Sequence, residues 1–459
     1  MDAEKFMNDI LREHPRGRDA AAIMAAALDA VDPKAATRRA LGRDGRTIFV
    51  CGQGYELKVG GRVFVVGAGK ACALMAEAAV EVLGDAISCG LVIIKEGHLA
   101  TSGERVGSVE LCEAAHPVPD ERGVNASTRL AAMLDGATKD DLVLALISGG
   151  GSALLTLPWA ELNLADLRAA TDLLLRCGAS INDINTLRKH CTRLGGGGLA
   201  RLASPARTVA LIVSDVVGSP LDVIASGPTT PDPTTYADAW RVVERYELQE
   251  RLPANVREHL QRGMKCEAAE TPKPGDPDKN VWSRVHNHII ADNRTAAEAA
   301  VAAARARGFD AALLTTFLEG EAREVGRVAA AIGREMCARG ASEVPRLCVL
   351  GGETTVTLGA GDGAGGRNQE LALGAVEPLA GVEGLLLVAL ATDGGDGTTD
   401  AAGACVTGET LTRASALRLE PNAYLRRNDA YNFFAPLGAL LKPGATLTNV
   451  NDLLLIFAT

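Results

Sequence analysis

The sequence predicts an α/β protein with two domains, the first built on a largely parallel sheet, the second a further α/β domain, with a cleft between them. Three observations lead there. Short apolar runs recur, each closed by glycine or small polar residues and followed by an Ala/Leu-rich stretch at helical spacing. Strand alternating with helix is the pattern of a parallel sheet covered on both faces. Glycine turns follow those runs, at the strand ends where such sheets carry ligands. At 459 residues, with 47% hydrophobic and 23% charged residues, the chain is long enough for two or three domains of a soluble globular protein.

Taken in order, residues 1–31 mix acidic and basic residues without a continuous apolar run, which predicts amphipathic helices and not a signal peptide. "RVFVVGAGKACALMAEAAVEVL" (62–83), "CGLVIIKEG" (89–97), "LVLALISGGGSALL" (142–155) and "TVALIVSDVVG" (208–218) each read as a buried strand and a turn, the first and third leading on into a helix. "AAETPKPGDPDKNVW" (268–282) has three prolines and many charges and reads as a linker. Beyond it, "HNHIIADNRTAAEAAVAAARARG" (286–308) is again strand, turn and helix. The stretches 346–374 and 385–404 place strands among long Gly/Asp loops. The expected domains are therefore 1–280 and 281–459.

The formal net charge of −10 argues against nucleic acid or an anionic membrane surface as partner, so any anion must be bound locally. No run approaches the roughly 20 apolar residues of a membrane span. The ten cysteines include no C-x-x-C pair, which fits free thiols in a reducing cytoplasm better than zinc or redox sites.

Several constellations carry chemistry. Ser148, Gly149, Gly150, Gly151 and Ser152 stand between a strand and a helix: they make either a plain tight turn or a cradle of backbone N–H groups for an anion such as phosphate. Gly67 and Gly69 of "VGAGKA" begin a dinucleotide fingerprint, but Cys72 stands where the third glycine belongs. Lys70 at the start of a helix opposes the helix dipole, which points to an anionic ligand or to a solvated surface lysine. Asn185 and Arg188, at i and i+3, share a helix face able to grip a carboxylate or phosphate; a solvated face is the alternative. Asp215, after the strand 208–213, is placed as a general base, a magnesium ligand through water, or a turn former. Glu353 precedes a glycine-rich loop that delivers Arg367 and Asn368. Asp393 and Asp396, three apart at a strand end, fit a Mg²⁺ shared with waters and phosphates, or an Asx turn. His286 and His288 lie on one face of a strand, where a structural role is favoured over zinc.

Together, "VGAGKA", "SGGGSALL", "INTLRKHCTRLGGGGLA", "SDVVGSPLDVIASGPTTPDPTT", "GGETTVT", "GGRNQELAL", "ATDGGDGTTDAAGA" and the closing "TNVNDLLLIF" resemble the class II glycerate 2-kinase family over nearly the whole chain. The resemblance implies a Rossmann-like first domain, a distinct C-terminal domain of MOFRL type, an active site in the interdomain cleft, and transfer of the γ-phosphoryl group of ATP to the 2-hydroxyl of D-glycerate with Mg²⁺. It also implies that Lys70 and Arg367 form the catalytic pair. The partners expected are ATP and D-glycerate, with no nucleic acid and no membrane; a homodimer is left open. The chain departs from the family at Gly195 and Gly198, where basic residues are usual, and at Ser219-Pro220, where acidic ones are common. Two other readings stand beside the kinase: an NAD(P)H-dependent hydroxypyruvate reductase, and a non-catalytic metabolite sensor on the same scaffold.

Overall fold

The computed structural model describes residues 1–99, 103–275, 279–338, 344–359 and 361–459. They form two compact units, one of Pro33–Ile290 and one of Met1–Asp32 with Ala291–Thr459. This division differs at both ends from the expected 1–280 and 281–459. The helix Gly17–Ala30 buries Ala20, Ile23, Met24, Ala27 and Leu28 and packs against the helix Asn293–Arg305 of its own unit. Around it, Asn8 Nδ2 donates to Ala439 O at 2.9 Å and Thr448 Oγ1 donates to Val31 O at 2.9 Å. An amphipathic stripe announces that a helix face is buried, not which sheet it covers. Nor is 268–282 a free linker. Asp232 N donates to Pro272 O at 2.8 Å, and Trp282 Nε1 to Lys273 O at 3.0 Å, so the stretch is pinned inside the first unit; residues 276–278 lie outside the described residues.

The unit Pro33–Ile290 opens with a small antiparallel sheet of β1 (Leu41–Asp44), β2 (Thr47–Val50) and β3 (Gln53–Glu56). Its main sheet has seven strands: β4 (Val63–Ala68), β5 (Cys89–Lys95), β6 (Arg105–Val106), β7 (Val109–Ala114), β8 (Leu142–Ile147), β9 (Arg207–Val213) and β10 (Val285–Ala291). Their order is β10-β9-β8-β4-β5-β7-β6, with β9, β8, β4, β5 and β7 parallel and β6 antiparallel to β7. Every residue of β4 and β8 is buried, as continuous apolar runs in a parallel sheet require. Arg62 and Asp141 set their register: Arg62 N and Nη2 donate to the two Asp141 carboxylate oxygens at 2.7 and 2.8 Å.

The chain lays β4, β5 and β7 outward in one direction and then returns to place β8 and β9 on the other side of β4. The order therefore reverses between β4 and β8, and the crevice beyond their carboxyl ends is where doubly wound sheets bind ligands. A layer of helices, Leu164–Arg176, Ile181–Cys191, Tyr236–Arg245 and Ala254–Met264, forms its own core around Leu167, Leu174, Leu187, Tyr236 and Leu260. Ser180 starts the second of these helices by accepting from Asp183 N at 3.2 Å.

The other unit holds a six-stranded sheet: β11 (Asp310–Leu318), β12 (Arg346–Gly352), β13 (Leu385–Ala391), β14 (Gly403–Thr407), β15 (Leu440–Leu441) and β16 (Asp452–Ala458), in the order β11-β12-β16-β13-β14-β15. β11 and β12 are parallel and the remaining pairs antiparallel. The last strand thus lies in the middle, and its first residue, Asp452, stands level with Gly352 of β12 and Ala391 of β13. Among the described residues no helix is long and apolar enough to cross a membrane.

Candidate active site

In the first unit, the carboxyl ends of five parallel strands supply Gly69 and Lys70 (after β4), Lys95 and His98 (end of and after β5), His116 (after β7), Ser148–Ser152 (after β8) and Asp215 (after β9). The three glycines answer to three different neighbours. A β-carbon on Gly149 would collide with the Asp215 carboxylate; one on Gly150 would lie 3.0 Å from His116 Cδ2 and 3.4 Å from Lys70 Cγ; one on Gly151 would come within 2.6 Å of Ala225 Cβ. Gly150 also has φ of +85°, a left-handed conformation that favours glycine. The turn is therefore walled by Asp215 on one side and by Lys70 and His116 on the other, and the N–H groups of Gly149 and Gly150 find no acceptor among the described residues. The glycines make the tight turn, and two of their amides point to no acceptor among the described residues.

Ser148 does something else. Its hydroxyl is buried and accepts from Ala71 N at 3.0 Å, and Lys70 N donates to Gly149 O at 2.9 Å, so these bonds stitch the β4 turn to the β8 turn. Gly67 packs directly on Leu146 and Gly69 on Ser148, which makes both spacers between strands. Cys72, at the place of a third fingerprint glycine, is buried with Sγ 3.4 Å from Leu146 O.

Arg188 lines a pocket with Ser152, Thr156, Thr192 and Ser226. Burial pulls its pKa below the ordinary arginine value, and no carboxylate among the described residues pairs with it. Asn185, on the same helix face, has Oδ1 3.3 Å from Ser226 Oγ, which lies 2.8 Å from Ser152 Oγ. Lys189, by contrast, faces inward to Asp222 and Asp232, each at 3.4 Å. His116 registers the local field: its pKa is pushed down to about 4, first by burial and then by Lys70, Lys95, Arg188 and His98. His98 Nδ1 lies 3.2 Å from Lys70 O. The result is a knot of cations around a turn with open amides, which is what a small multivalent anion requires. Gly198 explains one departure noted above, because a side chain there would run into Arg193 O.

In the second unit, Arg367 begins the helix Arg367–Val376. Its Nε donates to Asp452 Oδ2 at 2.6 Å, its Nη2 to Asp452 Oδ1 at 3.2 Å and its Nη1 to Glu353 Oε1 at 2.7 Å, which uses three of its five donors. Burial opposes its charge, yet Asp452 and Glu353 hold its pKa above the usual arginine range. Burial likewise raises that of Asp452 despite the guanidinium. Asp396 is 2% exposed and accepts from Asn368 N at 3.1 Å and Gln369 N at 2.8 Å, capping the start of the same helix; burial pushes its carboxyl up to about 6 against those bonds. Asn368 is buried too, its Nδ2 3.3 Å from Asp396 Oδ1. Asp393 is exposed and accepts from Gly395 N at 3.1 Å. The two aspartates expected to act alike are thus a helix cap and an open carboxylate. No group of three or more His, Cys, Asp or Glu suited to a metal occurs among the described residues. In the β10 pair His286–His288, His286 meets Tyr55 edge to face, ring centres 6.0 Å apart.

A Rossmann-type unit whose switch-point crevice carries a cationic glycine cradle, joined to a second α/β unit presenting an arginine held by two carboxylates, defines a class of small-anion enzymes. Residues 19–261 match the family model described as a domain of unknown function, DUF4147, and residues 346–452 match the MOFRL family. The chain is similar to a glycerate 2-kinase of Pyrococcus horikoshii, 41% identical over 94% of this chain and 95% of that one. It is 44% identical to an Agrobacterium vitis protein provisionally named hydroxypyruvate reductase, over 86% of each. The solved structure of a Thermotoga maritima glycerate kinase matches with a TM-score of 0.82 at 39% identity, over 95% of this chain and 98% of that one. The chain belongs to the glycerate 2-kinase family, in which a DUF4147 domain is followed by a MOFRL domain.

Proposed function

We propose that this chain is a cytoplasmic glycerate 2-kinase, transferring the γ-phosphoryl group of ATP to the 2-hydroxyl of D-glycerate to give 2-phosphoglycerate and ADP. The observation that carries the reading is Arg188: a desolvated guanidinium without a carboxylate partner, set among Lys70, Lys95 and the neutral His116 beside open amides. Such a cation is costly unless a ligand supplies the countercharge, and a small carboxylate fits its planar fork. The names of the Pyrococcus horikoshii and Thermotoga maritima relatives support it.

Phosphoryl transfer asks for positioning and charge neutralisation more than for covalent chemistry. Arg188 holds the glycerate carboxylate, while Lys70 and the amides of Gly149 and Gly150 hold phosphate oxygens. Asp215, against the turn, takes the proton of the 2-hydroxyl as its oxygen bonds to the γ-phosphorus and the bond from phosphorus to the leaving ADP oxygen breaks. Arg367, with two donors beyond those given to Asp452 and Glu353, is suited to stabilise charge on a phosphoryl group. Mg²⁺ bound with the nucleotide would supply further neutralisation; Asp393, exposed at the surface, would hold it, while the oxygens of Asp396 already accept from the amides of Asn368 and Gln369.

The test is ADP release from the purified protein with ATP, Mg²⁺ and D-glycerate, run beside NADH and NADPH oxidation with hydroxypyruvate. ADP release that depends on glycerate is the expected result. Oxidation of reduced cofactor without ADP release would overturn the reading in favour of the reductase, and silence in both would favour the sensor.

A further inference from the structure

His116 stands in none of the motifs that mark the site. It follows β7 in "AAHPVPD" (114–120), and its ring lies over the Gly150 backbone: Nε2 would be 3.1 Å and Cδ2 3.0 Å from a β-carbon placed there, with Lys70 Cγ on the same spot at 3.4 Å. The ring is half-buried, and neither nitrogen makes a hydrogen bond among the described residues. An imidazole used only for packing is normally tied through one nitrogen, as His259 is here, with Nε2 2.8 Å from His190 O. The charged and titratable groups around His116 are Lys70, Lys95, Arg188 and His98, with Asp215 on the far side of the glycine turn.

Those surroundings decide what the ring can do. Among three cations and a second imidazole a further positive charge is unfavourable, so His116 offers one donor and one acceptor and no charge. A neutral imidazole cannot compete with Arg188 for a carboxylate or with Lys70 for a phosphate. It is suited to a hydroxyl, which also donates and accepts. D-glycerate carries two hydroxyls, and the proposed kinase reading gives the 2-hydroxyl to Asp215.

We propose that His116 is a specificity-determining residue that hydrogen-bonds the 3-hydroxyl of D-glycerate, completing a three-point grip with Arg188 on the carboxylate and Asp215 on the 2-hydroxyl. The inference rests on the kinase reading of this site. A polar site built to bond a hydroxyl rejects the analogue that lacks it, because its own polar group is then left unpaired. D-lactate is that analogue.

The experiment compares kcat/KM for D-glycerate and D-lactate in wild type, His116→Ala and His116→Gln, with ATP saturating. The expected result is a preference of wild type for D-glycerate of about 100-fold or more, a fall of about 30-fold or more for D-glycerate in His116→Ala, a change under threefold for D-lactate, and partial recovery of D-glycerate in His116→Gln. Equal losses for both acceptors, or none for D-glycerate, would overturn the inference and leave the kinase reading standing. A wild type that phosphorylates neither acceptor would overturn both. Ring-¹⁵N NMR of the wild type gives a readout free of turnover and of any folding defect in the variants: the His116 resonances are expected to shift with D-glycerate and not with D-lactate, and identical responses would contradict the assignment.

Discussion

The Asp215 carboxylate packs against the α-carbon of Gly149 so closely that no side chain fits at 149 without displacing it. The glycine turn therefore sets the position of the carboxylate as well as exposing its own amides. Gly149→Ala would push the far end of a single side chain and leave the strands intact. The expected outcome is a melting temperature within a few degrees of wild type and a kcat/KM for D-glycerate lower by about 100-fold, the cost of misplacing a reacting group by about 1 Å. Activity within twofold of wild type would detach Asp215 from the reaction.

Arg188 is a case where function and stability pull apart. Removing a desolvated, unpartnered cation relieves a cost, so Arg188→Ala is expected to keep or raise stability by up to about 1 kcal/mol in urea unfolding while raising KM for D-glycerate by more than about 30-fold. Arg188→Lys is not expected to rescue it, because an ammonium cannot bond both carboxylate oxygens as a planar fork does. Marked destabilisation by Arg188→Ala would show that the guanidinium serves the fold.

Arg367 holds Asp452 through two hydrogen bonds at a buried strand start. Arg367→Ala leaves that carboxylate without its cation, for an expected loss of about 3 kcal/mol in unfolding free energy. At temperatures where the variant stays folded, kcat is expected to fall by at least about 100-fold, roughly 3 kcal/mol of transition-state stabilisation, with KM changed by less than threefold. An unchanged kcat would remove Arg367 from catalysis and leave it the structural role alone.

Asp141 gives a pH test of the switch point itself. Burial pushes its carboxyl up, but hydrogen bonds from Arg62 and Thr138 outweigh that and hold its pKa down at about 2. A folded pKa below the unfolded value of roughly 3.8 contributes stability that is complete above about pH 4 and lost as pH falls toward 2. Asp141→Asn is expected to cost on the order of 2 kcal/mol at pH 7 and to flatten the decline between pH 4 and pH 2. An unaltered acid limb in urea unfolding against pH would refute the role.

What could be read from the sequence was whatever is periodic or local. Strands β4, β5, β8 and β9 and their turns follow from apolar runs closed by glycine, and Arg188 was found because i and i+3 share a helix face. Facts that depend on a distant partner stayed hidden. The helix Gly17–Ala30 advertises a buried face without naming Asn293–Arg305 as its cover; Asp396 and Asp393 look alike until one is found beneath the amides of Asn368 and Gln369. Ser148 turns inward because the β4 turn needs an acceptor for Ala71 N. His116 precedes a proline after a short strand, and its only signal was that "AAHPVPD" falls at the same strand ends as the glycine turns. The final strand enters the middle of the second sheet, antiparallel to both neighbours, a topology that apolar runs do not encode.

Two-dimensional ¹H–³¹P correlation NMR of the product formed from ATP and D-glycerate tests the central assignment most directly, since it reads which oxygen took the phosphoryl group. Coupling of the new phosphorus to the single methine proton at carbon 2 is the expected result. Coupling to the methylene protons at carbon 3, or no phosphorylated glycerate at all, would contradict the proposed placement of the 2-hydroxyl beside Asp215 and Gly149.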